Sequence, residues 1–254
     1  MIPVALAVAW RLVYKAFTLP TFFLPALLFP LIFFLGFAGA LGRVGDVPGF
    51  DYEPGYTTFQ FAFVLLQSAA MSGVFTGFNI AHDFERGFAR RLLIAAPRRS
   101  GIIVGYALAT IARWLVNIAI VFVVAIAIGM NVVGGPVDLF GLLVLGLLVN
   151  VVGTLWAAGV ALRLRSAQAG PLMQLPVFLL IFVAPVFVPL DLLQGWIHAV
   201  ATVNPFTHLL GAARALLAGG TKDVLLAFAI VLSLGVGFAL WALRGLRSAE
   251  AAGG

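Results

Sequence analysis

This sequence predicts an all-α polytopic membrane protein with six transmembrane helices. Three observations carry that prediction. Hydrophobic residues make up 63% of the 254-residue chain, charged residues only 9%, and the mean hydropathy is +1.14. A soluble domain is about half apolar and about a quarter charged. Long stretches lack Asp, Glu, Lys and Arg, and about 20 such residues suffice to cross a bilayer core of about 30 Å. Basic residues are also distributed asymmetrically between alternate loops. A soluble domain, a disordered chain and a coiled coil are excluded by composition.

The whole chain, 1–254, is expected to form one transmembrane domain. Its spans are placed at 19–41, 56–80, 101–130, 139–162, 170–190 and 223–244. The uncharged stretch Leu192–Ala213 is not counted as a span. It holds Gln194, His198, Asn204, Pro205 and His208, whose polar groups hydrocarbon leaves unsatisfied. A broken or re-entrant external element before the sixth span is expected there.

Residues 1–18 are expected to form an interfacial helix. Trp10, Tyr14 and Phe17 follow helical spacing beside Arg11 and Lys15, a mixture suited to the headgroup layer. No Lys or Arg precedes Arg11 and the first apolar run is too long for an h-region, so no cleaved signal peptide is expected.

Six spans place both termini on one side. The segments grouped with the termini, with Arg113 included, carry 12 of the 15 basic residues. The opposite segments carry Arg43, Arg214 and Lys222, and six of the nine acids. The positive-inside rule therefore puts both termini in the cytoplasm. The basic residues sit in short loops and form no continuous surface, so the net charge of +6 does not indicate nucleic acid. Thirteen Arg against two Lys, with abundant Ala, Gly and Val, point to a GC-rich bacterial genome and so to a bacterial plasma (inner) membrane. Cysteine is absent, which excludes disulfides and thiolate metal or redox sites.

Several polar or breaking residues fall inside the spans. Interior prolines cluster in the first and fifth, where each removes a backbone hydrogen bond. Gln67, Asn79, Arg113, Asn117 and Asn150 are candidates for a substrate path. The alternatives are bonding between helices for the neutral residues, and snorkelling to the inner interface for Arg113. Gly73–Gly77 and Gly101–Gly105 have GxxxG spacing, which serves packing within a chain or between chains equally well.

The loop between spans two and three reads as a short helix over 82–97. Phe84, Phe88 and Leu92 recur at i, i+4 and i+8, while Arg86, Arg90 and Arg91 lie mostly off that stripe. Asp83 and Glu85 occupy its first turn, where the helix dipole favours anions, and Pro97 ends it. Periodicity alone leaves two burial sites open: lipid headgroups, or a groove on a partner protein.

The run from Glu85-Arg86-Gly87 through Leu92-Leu93 to Pro97 resembles the cytoplasmic loop of ABC-2-type transporter permeases, roughly E-x-G-T-x-x-x-L-x-x-x-P. Phe88 stands where that family usually has Thr or a similar small residue. Val203-Asn204-Pro205-Phe206-Thr207 resembles the family's N-P-hydrophobic-T/S motif before the last span, and Arg214-Ala215-Leu216-Leu217-Ala218-Gly219-Gly220 its R-x-L-L-x-G run. The resemblance covers nearly the whole chain and is greatest to drug- and lipid-exporting permeases of the daunorubicin-resistance type.

That resemblance implies an exporter with two permease subunits, identical or paralogous, above two cytoplasmic ABC ATPase subunits. The loop helix would be the coupling helix. Phe84, Phe88 and Leu92 would bury in an ATPase cleft, and Glu85, Arg86, Gly87, Arg90, Arg91 and Pro97 would complete its surface. The substrate would be amphiphilic: a drug, a lipid or a lipid-linked glycan. The chain contains no G-x-x-x-x-G-K-[ST] phosphate loop, so ATP and Mg would be held by the separate subunit and no cofactor by this one.

Rival classes are each short of a feature. An intramembrane serine protease needs a His in a span to activate Ser72, and His82, His198 and His208 fall outside the spans. His198, His208 and Asp191 match no helical metal-ligand spacing, so no metal site is expected. A secondary transporter usually carries an intramembrane acid, and apart from Asp223 at the very edge of the sixth these spans have none. A non-transporting scaffold subunit is separated from a permease by dependence on an ATPase.

Overall fold

The computed structural model describes residues 2–18, 20–95 and 99–251. Among them the secondary structure is entirely helical. In chain order the α-helices are α1 (Ile2–Thr18), α2 (Pro20–Ala40), α3 (Tyr56–Glu85), α4 (Phe88–Ala95), α5 (Ser100–Ala127), α6 (Pro136–Leu164), α7 (Gly170–Phe182), α8 (Gly195–Val203), α9 (Pro205–Leu217) and α10 (Val224–Ala251).

Helix α3 is the axis of the bundle. It packs along α6 and touches α2, α5, α7 and α9, and its residues are buried almost all round. Close approach to α6 depends on glycine. A Cβ at Gly73 would lie 2.6 Å from the Asn150 carbonyl oxygen, and one at Gly77 would lie 2.6 Å from the Ala157 Cβ. On the α5 side, a Cβ at Gly105 would lie 2.7 Å from the carbonyl oxygen of Ala5 in α1. At Gly73, Gly77 and Gly105 the GxxxG spacing therefore serves packing within the chain.

Four helices are long and apolar enough to cross a membrane by length and composition: α3, α5, α6 and α10. Shorter apolar stretches run over Leu27–Ala40 and Ala167–Phe182. The helix expected over 170–190 ends at Phe182. Pro185 and Pro189 follow, and a helix cannot run through either without losing hydrogen bonds. The 13 residues of α7 span about 20 Å, less than a hydrocarbon core. The stretch 192–213 is broken at Asn204: α8 is largely exposed, whereas α9 is sunk among α3, α6, α7 and α10.

The loop helix expected over 82–97 is divided. Helix α3 runs on to Glu85, the chain turns at Arg86–Gly87 with Gly87 at φ +69°, and α4 begins at Phe88. Glycine adopts that left-handed conformation without a Cβ penalty. Phe84 thus belongs to α3 and is buried against Ile80, Ala89, Ile102, Ile103 and Leu246. It is not part of an exposed stripe with Phe88 and Leu92. The period-four spacing was continuous through Gly87, but the backbone is not. Pro97 lies outside the described residues.

Candidate functional site

Two sites take shape from the predicted residues: a corner at one end of the bundle and a polar pocket between helices. A third cluster, at the other end, was not anticipated as a unit.

At the corner, Arg11 of α1 reaches Asp83 of α3 with two parallel bonds, Nη1 to Oδ2 at 3.0 Å and Nη2 to Oδ1 at 3.1 Å. The Tyr106 hydroxyl of α5 donates to the same carboxylate. Asp83 is buried, so this fork-to-fork pairing supplies the charge and donors that burial demands. The bond to Asp83 holds the Arg11 guanidinium above its ordinary value. Arg11 also lies over the Phe88 ring, 3.7 Å from its centroid. Helix α1 is therefore fastened to the start of α4.

Glu85 sits outside α4 and bonds away from it. Its carboxylate accepts from the Ala167 backbone N–H at 2.8 Å and the Ser166 hydroxyl at 3.2 Å. This joins the two turns that precede α4 and α7. Arg86 and Arg91 are exposed, Phe88 and Leu92 half-buried, and Ile94 is 79% exposed. Arg90 lies in α4. The outward face of α4 is thus Ile94 with Arg91, flanked by Arg86, rather than Phe84 with Phe88.

The pocket lies between α1, α2, α3 and α5 and has a volume of about 40 Å³. It gathers Gln67, Arg113 and Asn117 with Ser68 and Ser72. Arg113 Nη2 donates to the Thr76 hydroxyl at 3.2 Å, and Thr76 also pairs with the Thr110 hydroxyl. The Arg113 side chain is directed to α3. Arg113 is seven residues beyond Tyr106, about 10 Å deeper along α5. Asn150 and Asn79 are not in this pocket. Fully buried Asn150 donates to the Ala69 carbonyl across the α3–α6 seam at 3.1 Å, and Asn79 donates to Phe75 in its own helix at 3.2 Å.

At the other end of the bundle, Asn204 and Arg214 hold the broken end of α7. Asn204 Oδ1 accepts from the Phe206 N–H, capping α9, and its Nδ2 donates to the Leu180 carbonyl at 2.6 Å. Pro205 occupies the first turn of α9, where a missing N–H costs nothing. Arg214 donates to the Pro185 and Val186 carbonyls at 2.9 and 3.1 Å and lies over the Phe59 ring. The Tyr52 hydroxyl donates to the Arg214 carbonyl, and burial pushes that phenol above its usual range. Gln60 and Tyr56 bind Val186 and Phe187. Arg214 was legible only as part of a motif. A lone arginine closing an otherwise uncharged run was the signal for its role.

The apolar helices of the bundle are those of an integral membrane protein. Over residues 4–218 the chain matches the ABC-2 type transporter family, and it belongs to that family. It is 25% identical over 245 residues to the daunorubicin resistance ABC transporter permease protein DrrB1 of Streptomyces coeruleorubidus, covering 95% of this chain and 85% of that one. It is 23% identical over 213 residues to the putative transport permease ycf38 of Pyropia yezoensis, covering 82% and 72% respectively.

Proposed function

We propose that this chain is the membrane subunit of an ATP-driven exporter that moves an amphiphilic substrate out of the cytoplasm or the inner leaflet. It works as a pair of permeases, identical or paralogous, with six spans each and both termini in the cytoplasm of a bacterial cell. The observation that carries the reading is the family match over residues 4–218, in a chain without a phosphate loop of its own. ATP and Mg belong to a separate cytoplasmic ATPase.

In this reading α4 is the coupling element. Its outward residues Arg91 and Ile94 meet the ATPase, with Arg86 beside them, and Ile94 gives an apolar anchor inside a basic rim. The half-buried Phe88 and Leu92 fix α4 on the bundle, so that a push on α4 reaches α1 through Arg11 and α7 through Glu85.

The test is co-purification from a mild detergent. A stoichiometric subunit carrying a phosphate loop and ATPase activity should accompany the chain, and Ile94→Asp should release it while the chain stays monodisperse. A chain recovered without any ATPase, in a detergent that preserves such assemblies, refutes the reading.

A further inference from the structure

We propose that the Arg113 pocket binds the anionic headgroup, phosphate or carboxylate, of an amphiphile whose tail lies along α2 and α3. The inference deepens the permease reading and rests on it, because it assigns a chemical class to the substrate.

Arg113 is a formal cation set well inside α5, and among the described residues no carboxylate lies within 4.0 Å of it. Its hydrogen-bonding partner is a neutral hydroxyl, Thr76, and its Nε is enclosed without a partner. A charge taken out of water in this way is stabilised only by a counter-charge or by donors and acceptors that complete its shell.

Gln67 gives a second, independent indication. It is 2% exposed, lines the same pocket, and its Oε1 is enclosed without a partner. With the amide turned over, Nε2 takes that enclosed position and donates to an anion. The Ser72 hydroxyl lines the same space.

Size agrees with a headgroup. One water needs about 10–15 Å³, so 40 Å³ holds a group of a few heavy atoms. The remaining wall is apolar: Phe29, Met71 and Phe75. Phe29 and Phe75 are each more than one-third exposed on the bundle's outer face, where a tail would lie.

The test uses the full chain, with whatever subunit accompanies it, in phosphatidylcholine nanodiscs. Radiolabelled dodecyl phosphate is the probe, and dodecyltrimethylammonium and inorganic phosphate are the competitors. Saturable binding of dodecyl phosphate is expected, about tenfold weaker in Arg113→Gln, as for loss of one charged hydrogen-bonding partner. Arg43→Gln, at the opposite end of the bundle, should bind normally.

Equal binding by wild type and Arg113→Gln overturns the proposal. So does equal competition by the ammonium amphiphile. Competition by inorganic phosphate as strong as by unlabelled dodecyl phosphate assigns the pocket to a free anion and also overturns it. If Arg113→Gln does not fold, Gln67→Leu should weaken binding several-fold, and the wild-type competitor series stands without any variant. Binding is read without ATP hydrolysis. Its loss therefore leaves the permease reading intact, and a missing ATPase partner would refute that reading without touching the headgroup result.

Discussion

Arg11 and Asp83 lie 72 residues apart in sequence and face each other in a two-bond ion pair of 3.0 and 3.1 Å. The pair joins α1 to α3, and Tyr106 extends it to α5. Removing the cation leaves a buried carboxylate with one phenol. Arg11→Ala should destabilise the chain by about 2 kcal/mol, below the range for a fully enclosed pair because the Arg11 side chain is 36% exposed. Thermal unfolding in detergent reads this. Asp83→Asn in the Arg11→Ala background should add little further loss, since the pair is already broken.

Phe84→Asp should behave as a core substitution and not as a partner-surface one. Phe84 is 7% exposed within the cluster of Ile102, Ile103 and Leu246. An unpaired carboxylate there should cost about 3 kcal/mol or more and lower the yield of monodisperse protein. Ile94→Asp, at 79% exposure, should leave yield unchanged. Size-exclusion profiles of the two variants make the comparison; similar profiles would place Phe84 at the surface.

The sequence made most of the architecture legible, because charge and hydropathy decide where a chain crosses hydrocarbon. The helices α3, α5, α6 and α10 lie where uncharged stretches predicted them. Two things were hidden. Periodicity cannot detect a backbone turn such as Gly87, so Phe84 read as continuous with Phe88. Hydropathy also cannot distinguish a continuous helix from one interrupted by Pro185, because the residues past the break are equally apolar. The substrate-path candidates separated for a similar reason. Gln67, Arg113 and Asn117 converge while Asn150 crosses a helix seam, and only tertiary packing tells which face each residue occupies.

Arg214→Leu should free the Pro185 and Val186 carbonyls and loosen the segment between α7 and α8. Hydrogen exchange over residues 183–193 should accelerate by about thirtyfold or more, corresponding to about 2 kcal/mol or more of lost local stability. Arg214→Lys should restore little, because one ammonium cannot reproduce a planar fork that also stacks on Phe59. Full rescue by lysine would mean that charge alone matters at this position.

Gly73→Val should cost about 1–3 kcal/mol or more by driving α3 from α6, since even a Cβ at Gly73 meets the α6 backbone. Gly237→Ala, where a Cβ meets nothing within 4 Å, should be neutral or slightly stabilising. The pair of melting temperatures checks both.

The clamps on α7 have a mechanical consequence. Just ahead of its first residue the chain is tied to Glu85 of α3, and at its last turn Leu180 is tied to Asn204. A rod fixed at both tips by side chains from other elements can swing about those tips but cannot slide lengthwise without releasing one of them. In α7 the fold therefore contains a strut with two pivots, one at each end of the bundle, and tilt is the displacement its anchors allow.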